Sequence, residues 1–160
     1  MSEPEARPVI DFYSTRGDYG CFSNFYRATI RVGGKNWATT EHYFQAQKFA
    51  GTEHEGMVRQ AKTPGEAASL GRRRDFPLRR DWEKVKDNVM LEALRAKFGQ
   101  HPDLAEILVG TGDAELVEHT DRDSYWGDGG DGSGRNRLGV LLMQVRDELR
   151  AQAGSPNYLQ

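Results

Sequence analysis

Cysteine is almost missing: Cys21 stands alone among 160 residues. That excludes an intrachain disulfide framework, and the four histidines, His42, His54, His101 and His119, make no zinc-site spacing with it. No metal and no cofactor is expected, and a reducing, cytoplasmic setting fits best. Long apolar runs are lacking too, since none approaches the ~20 residues needed to cross a bilayer. The first eight residues, MSEPEARP, are acidic and proline-containing rather than basic then apolar, unlike an export signal. No membrane partner is expected. Excess charge of one sign is also absent: Lys plus Arg number 22 against 24 Asp plus Glu. The chain therefore lacks the global basic field that steers proteins onto nucleic acid, although a local basic patch stays compatible with that balance.

Repeats and low-complexity segments are likewise missing, and the length fits one domain with a real core. Both ends carry proline and polar residues without apolar periodicity. The expected folded domain is 9–151, with 1–8 and 152–160 as flexible termini. VIDFYS reads as a strand; ATIRV and NWATT around GGK read as a hairpin with a glycine turn, and AELVEHT as one more strand. Beyond Thr40 the pattern turns helical. Trp82, Val85, Val89, Met90, Ala93, Leu94 and Phe98 recur at helical spacing from an Asp81 N-cap to Gly99. PGEAASLGRR and PDLAEILVG open with prolines suited to a first turn, and RLGVLLMQVRDELRAQ forms a long final helix. The fold class is α+β: a helix-dominated single domain with a small β-sheet.

TTEHYFQAQKF, residues 39–49, raises the main chemical question. On a helix started at Glu41, Gln45 falls at about 40° and Lys48 at about 340°, so the three share one polar stripe. A long Lys48 side chain leans back toward Glu41. Two readings stay open on spacing alone. A Glu in a first turn and a Lys near a helix end also suit the helix dipole on a solvated face. Yet aromatics occupy the other sides of this helix, and a surrounded carboxylate needs a partner or a task.

The segment DRDSYWGDGGDGSGRNRLG, residues 121–139, fits none of three ligand motifs. A calcium loop from Asp121 would need glycine sixth and glutamate twelfth, where Trp126 and Gly132 stand. A dinucleotide fingerprint from Gly132 meets Arg137, and a calcium-binding glycine repeat meets Gly134. What remains is a flexible loop whose backbone N–H groups approach a phosphate, followed by Arg135, Arg137 and a helix N-terminus. A mobile surface loop is the competing reading. Tyr125 and Trp126 suit stacking on a flat ring, and Asp128 lies beside them for a sugar or base. Five arginines in the nine residues Arg72–Arg80 form either a phosphate grip or a solvated face. Cys21 and the histidines read as structural or exposed.

FYSTRGDYGCFSNFY, the WATTEHYFQAQKF stretch, LRRDWEKVKDNVM, LVEHTDRDSYWGDG and GRNRLGVLLMQVR together resemble the NADAR family, and within it the YbiA-like N-glycosidases, over about residues 10–150. The resemblance implies cleavage of the bond between ribose C1 and an exocyclic base amine. Two substrate classes follow from it: phosphorylated ribosylamino-pyrimidine intermediates of riboflavin biosynthesis, and ADP-ribose on guanine in DNA. The second would make DNA a substrate partner and an ADP-ribosyltransferase toxin a functional partner of an antitoxin. The resemblance makes Glu41 the main catalytic carboxylate and Lys48 a nucleophile or orienting amine. Asp128 would hold ribose hydroxyls or act as second acid. Trp82, Trp126 and Tyr125 would stack on the base beside Gly127, while Arg72, Arg135 and Asn136 would take phosphate oxygens. The alternative is an ADP-ribose reader that binds without turnover.

Overall fold

The computed structural model describes residues 7–154. The segments 1–6 and 155–160, within the expected termini, lie outside the described residues. The chain forms strand β1 (Val9–Phe12), a single 3-10 turn (Gly20–Phe22), and the hairpin β2 (Ile30–Val32) and β3 (Lys35–Trp37). Helices α1 (Thr40–Gln47), α2 (Glu53–Arg59), α3 (Pro64–Gly71), α4 (Trp82–Gln100) and α5 (Pro102–Gly110) follow, then β4 (Glu115–Glu118) and α6 (Arg137–Ala153). The architecture is α+β and helix-dominated. The strands form two separate pairs: β1 lies parallel to β4, and β2 lies antiparallel to β3.

Local chemistry accounts for most of these elements. Gly33 (φ 63°) and Gly34 (φ 77°) both adopt the left-handed conformation that a tight two-residue hairpin turn demands, so the GG pair fixes the β2–β3 register. Thr39 and Thr63 cap α1 and α3, their hydroxyls accepting from the amides of His42 (3.1 Å) and Glu66 (3.0 Å), and Pro64 opens α3. Helix α4 is the spine: its buried face, Val89, Met90, Ala93, Leu94 and Phe98, packs among α1, α5, α6 and β2. Burying such side chains is worth about 1.5–3 kcal/mol each against leaving them exposed. Helix α6 lies on β4, where a Cβ on Gly139 would fall 2.0 Å from the Leu116 carbonyl oxygen. Only glycine permits that approach.

Two local expectations change. Asp81 precedes α4, but its carboxylate takes both guanidinium nitrogens of Arg79 (2.6 and 3.0 Å) instead of the helix amides. The helix runs through Gly99 to Gln100, where His101 and Pro102 begin α5. The connection 50–63 holds a further helix, α2, capped by Thr52, whose hydroxyl accepts from His54 N (3.2 Å). Among the described residues no helix is long and apolar enough to cross a membrane.

Candidate active site

Helix α1 carries Glu41 and Gln45 on one side, four residues apart, and Lys48 at its C-cap. Both Glu41 and Gln45 are 8% exposed, so the polar stripe faces inward. Gln45 Nε2 donates to Glu41 Oε1 at 2.7 Å, and half-buried Lys48 donates from Nζ to the Gly71 carbonyl oxygen at 3.2 Å. Burial pushes the Glu41 carboxyl pKa up, opposed by the Gln45 hydrogen bond and by the charges of Lys48 and Arg72. Burial pushes the Lys48 amine down, opposed by Glu41. Both shifts weaken the charged form that each group ordinarily holds. The open question about this stripe is resolved: it is enclosed.

Both residues line a cavity of about 850 Å³. Its aromatic wall is continuous. Phe44 sits 5.0 Å from Trp82 and 5.3 Å from Trp126, centroid to centroid, and Trp126 meets Tyr125 edge-on at 4.9 Å. Lys48 Nζ lies 5.9 Å from the Trp82 ring centroid, next to a surface on which a flat base can stack. Positive charge comes from Lys48, Arg72, Lys86 and Arg122, all lining the same cavity. Of the arginines between 72 and 80 only Arg72 lines it; Arg73 and Arg79 are paired with Asp75 and Asp81. Glu41, Lys48, Trp82, Trp126, Tyr125 and Arg72 are thus brought together.

Asp128, Asn136, Gly127 and Arg135 are not among that cavity's lining residues. Asp128 builds the loop. Its Oδ2 pairs with His119 Nδ1 (2.7 Å), while Oδ1 accepts from the amides of Thr120 (3.0 Å) and Gly130 (2.9 Å). These bonds, led by that from His119, hold its pKa down to about 2, which suits a permanent acceptor and not a proton carrier at neutral pH. Asn136, in the left-handed conformation (φ 51°), ties α6 to β4: Oδ1 accepts from Glu118 N and Nδ2 donates to Leu116 O, each at 2.9 Å. Gly127 is required by packing, since a Cβ there would fall 2.6 Å from the Thr120 methyl and 2.9 Å from the Glu118 carbonyl oxygen. Arg135 is exposed and lies over Tyr125, its guanidinium carbon 5.6 Å from the ring centroid.

The glycine-rich segment is not an open phosphate cradle. Its amides are spent internally: Gly134 N donates to Asp128 O, Arg135 N to Ser124 O and Asn136 N to Gly127 O. The first amides of α6 go the same way, Arg137 N to Tyr125 O and Leu138 N to Trp126 O. Residues 124–128 and 134–138 therefore lace together, and the loop presents side chains rather than backbone to the cavity. Tyr125 anchors it further, donating its hydroxyl to Asp87 Oδ1 at 2.6 Å.

Sequence reasoning missed several lining groups, Phe44, Lys86, Arg122, Asp123 and Glu118 among them. Asp123 Oδ1 accepts from the amides of Tyr125 (2.9 Å) and Trp126 (2.8 Å), aiming both rings. Glu118 ends β4, and a signal for it existed. It stands two positions after Leu116, which is fully buried, so strand alternation directs it to the same inward face. Burial and the charges of Asp123, Glu41 and Asp128 push its carboxyl up to about 7. Among the described residues no group of three or more His, Cys, Asp or Glu is placed to hold a metal ion.

The NADAR domain family model matches residues 11–150. The chain is 55% identical to N-glycosidase YbiA of Escherichia coli over 141 residues, 88% of each protein. It is 48% identical to an N-glycosidase of Nostoc punctiforme over 145 residues, covering 89% of this chain and 93% of that one. A riboflavin biosynthesis protein of Vibrio vulnificus is 44% identical over 144 residues, 90% of this chain and 39% of that longer protein. The NMR structure of E. coli YbiA superimposes with a TM-score of 0.86 at 52% identity, covering 94% of this chain and 89% of that one.

Proposed function

The chain belongs to the NADAR domain family, and from that premise we propose that it is an N-glycosidase acting on a phosphorylated ribosylamino-pyrimidine. The reading is carried by one observation: Glu41 and Lys48 share a cavity with an aromatic wall and several cations. Trp82, Phe44 and Trp126 take the base ring. Arg72 and its neighbouring cations take the 5′-phosphate, and Glu41 and Lys48 meet the ribose between them. The Vibrio relative's name, a riboflavin biosynthesis protein, supports this substrate class.

Ribose on an exocyclic amine opens to an imine at C1. The Lys48 amine, favoured in its neutral form by burial, adds to C1; the base amine departs, and water hydrolyses the resulting Schiff base to free sugar phosphate and enzyme. Glu41 accepts the protons released by each nucleophile. Borohydride added during turnover tests this route. A stable sugar-phosphate adduct on Lys48 is expected by mass spectrometry. An active enzyme that yields no adduct would instead be using water directly, with Lys48 only orienting it.

A second reading, removal of ADP-ribose from guanine in DNA, draws on a separate observation. The cavity lies in the upper part of the size range of small-molecule sites, and two exposed aromatics, Tyr13 (49%) and Phe25 (42%), also line it. They offer a second ring a surface. In that case modified DNA is the substrate and a cognate ADP-ribosyltransferase toxin the functional partner. Rates measured side by side on both substrates decide: faster release from the pyrimidine supports the first reading, and release from modified DNA alone supports the second. Binding of ADP-ribose without any release would make the protein a reader.

A further inference from the structure

Glu118 lies on the wall of the same cavity as Glu41, yet the reaction described so far gives it no role. Its backbone is fixed at both ends: its N–H donates to Asn136 Oδ1 (2.9 Å), and its carbonyl accepts from Asp128 N (2.9 Å). Among the described residues its side-chain Oε2 is buried and has no hydrogen-bond partner. A buried carboxylate oxygen without a donor is costly, whereas a protonated carboxyl aimed at a ligand has a use. We propose that Glu118 is the proton donor to the departing base amine, an assignment that rests on the N-glycosidase reading above.

The step balances. As the C1–N bond breaks, its electron pair passes to the exocyclic nitrogen, and the Glu118 carboxyl proton follows to that nitrogen. The nucleophile, Lys48 amine or water, loses its proton to the Glu41 carboxylate. Exchange with water then returns Glu41 to carboxylate and Glu118 to carboxyl. Two carboxyls thus divide acid and base work between them: against its burial, Gln45, Lys48 and Arg72 favour the ionised form of Glu41, whereas burial and negative neighbours both favour the protonated form of Glu118. Asp123 and Asp128 of the loop and Glu41 of α1 face Glu118 with negative charge, favouring its protonated form. The same cavity also holds cations: Lys48 at the end of α1, Arg72 at the end of α3, Lys86 on α4 and Arg122 on the loop. Glu118 is held near 7, so the donor is present at and below neutral pH and lost above it.

The test measures kcat and KM against pH for wild type, Glu118→Gln and Glu41→Gln on the ribosylamino-pyrimidine phosphate. A second substrate carries an electron-poor amine that leaves without protonation. Glu118→Gln is expected to lose about 100-fold or more in kcat with KM within about threefold. The wild-type fall in rate on raising pH through about 7 should vanish in Glu118→Gln, and the electron-poor substrate should restore its rate but not that of Glu41→Gln. A wild-type rate in Glu118→Gln overturns the assignment, and so does a loss that keeps the alkaline fall or is not rescued. Carbon-13 titration of the Glu118 carboxyl in the ordinary carboxylate range overturns it independently. Absence of amine release by wild-type enzyme from any substrate overturns the parent reading and this one with it.

Discussion

Replacing Gly71 with alanine perturbs both halves of the α1 chemistry from outside the catalytic pair. Gly71 ends α3, and an added Cβ would fall 2.0 Å from Gln45 Oε1, 2.6 Å from its Cδ and 3.0 Å from its Cβ. Gln45 relieves the clash only by turning away, which breaks its 2.7 Å bond to Glu41. A hydrogen bond to a charged group contributes about 1.5–3 kcal/mol, and overpacking costs about 1–3 kcal/mol where the side chain stays put. These are alternatives more than additions. Set against about 1 kcal/mol gained from alanine's helix propensity, the net loss is about 0.5–2 kcal/mol. For a domain of this size that lowers Tm by roughly 1–8 °C, readable by thermal circular dichroism. Because the Gln45 hydrogen bond lowers the Glu41 pKa, its loss moves the acid side of the pH–rate profile to higher pH. Gln45→Ala combined with Gly71→Ala removes the colliding atoms, so the pair should be less destabilised than the sum by about 1 kcal/mol or more. A Gly71→Ala protein with unchanged Tm and an unmoved acid limb would refute the packing argument.

Two further outcomes follow from groups outside the reacting pair. Lys97 is fully buried, donates from Nζ to Ser23 O at 3.0 Å, and is pushed down to about 7 by burial. The unfolded chain binds that proton more tightly, so the Lys97 contribution to stability rises with pH between about 7 and the ordinary lysine range. Lys97→Met should therefore stabilise by about 1–3 kcal/mol near pH 6, with the gain shrinking as pH rises in urea titrations; a pH-independent difference would contradict this. Asp128→Asn removes the acceptor that organises residues 119–130, so amide hydrogen exchange there should quicken and KM rise more than kcat falls. Unchanged exchange would contradict the structural role given to that carboxylate.

Much of the architecture was legible because it is local. The α4 stripe, the proline-opened α3 and α5, and the glycine hairpin each depend on residues within a turn or two. Helix α1 was legible in the same way, and spacing alone placed Glu41 and Gln45 on one side. What spacing could not decide was whether that side faced water, because α3 and the 119–136 loop enclose it from far away in the chain. The loop was misread for a related reason. Glycine density signals backbone freedom, but here the pairing of residues 124–128 with 134–138 consumes the amides that a phosphate would need. Asp128 drew attention by its type, yet the same type builds turns, and its partners Thr120 and Gly130 show that use. Glu118 was passed over because a glutamate at a strand end usually faces solvent, although its alternation with buried Leu116 on β4 pointed inward.

The central claim is that Glu41 drives cleavage of an N-glycosyl bond in this cavity. It is tested most directly by following release of the free pyrimidine amine from the ribosylamino-pyrimidine phosphate with wild type and with Glu41→Gln. Wild type should release the amine, and the variant should do so at least about 100-fold more slowly while keeping ligand affinity within about threefold. A Glu41→Gln enzyme that releases amine at the wild-type rate would contradict the account.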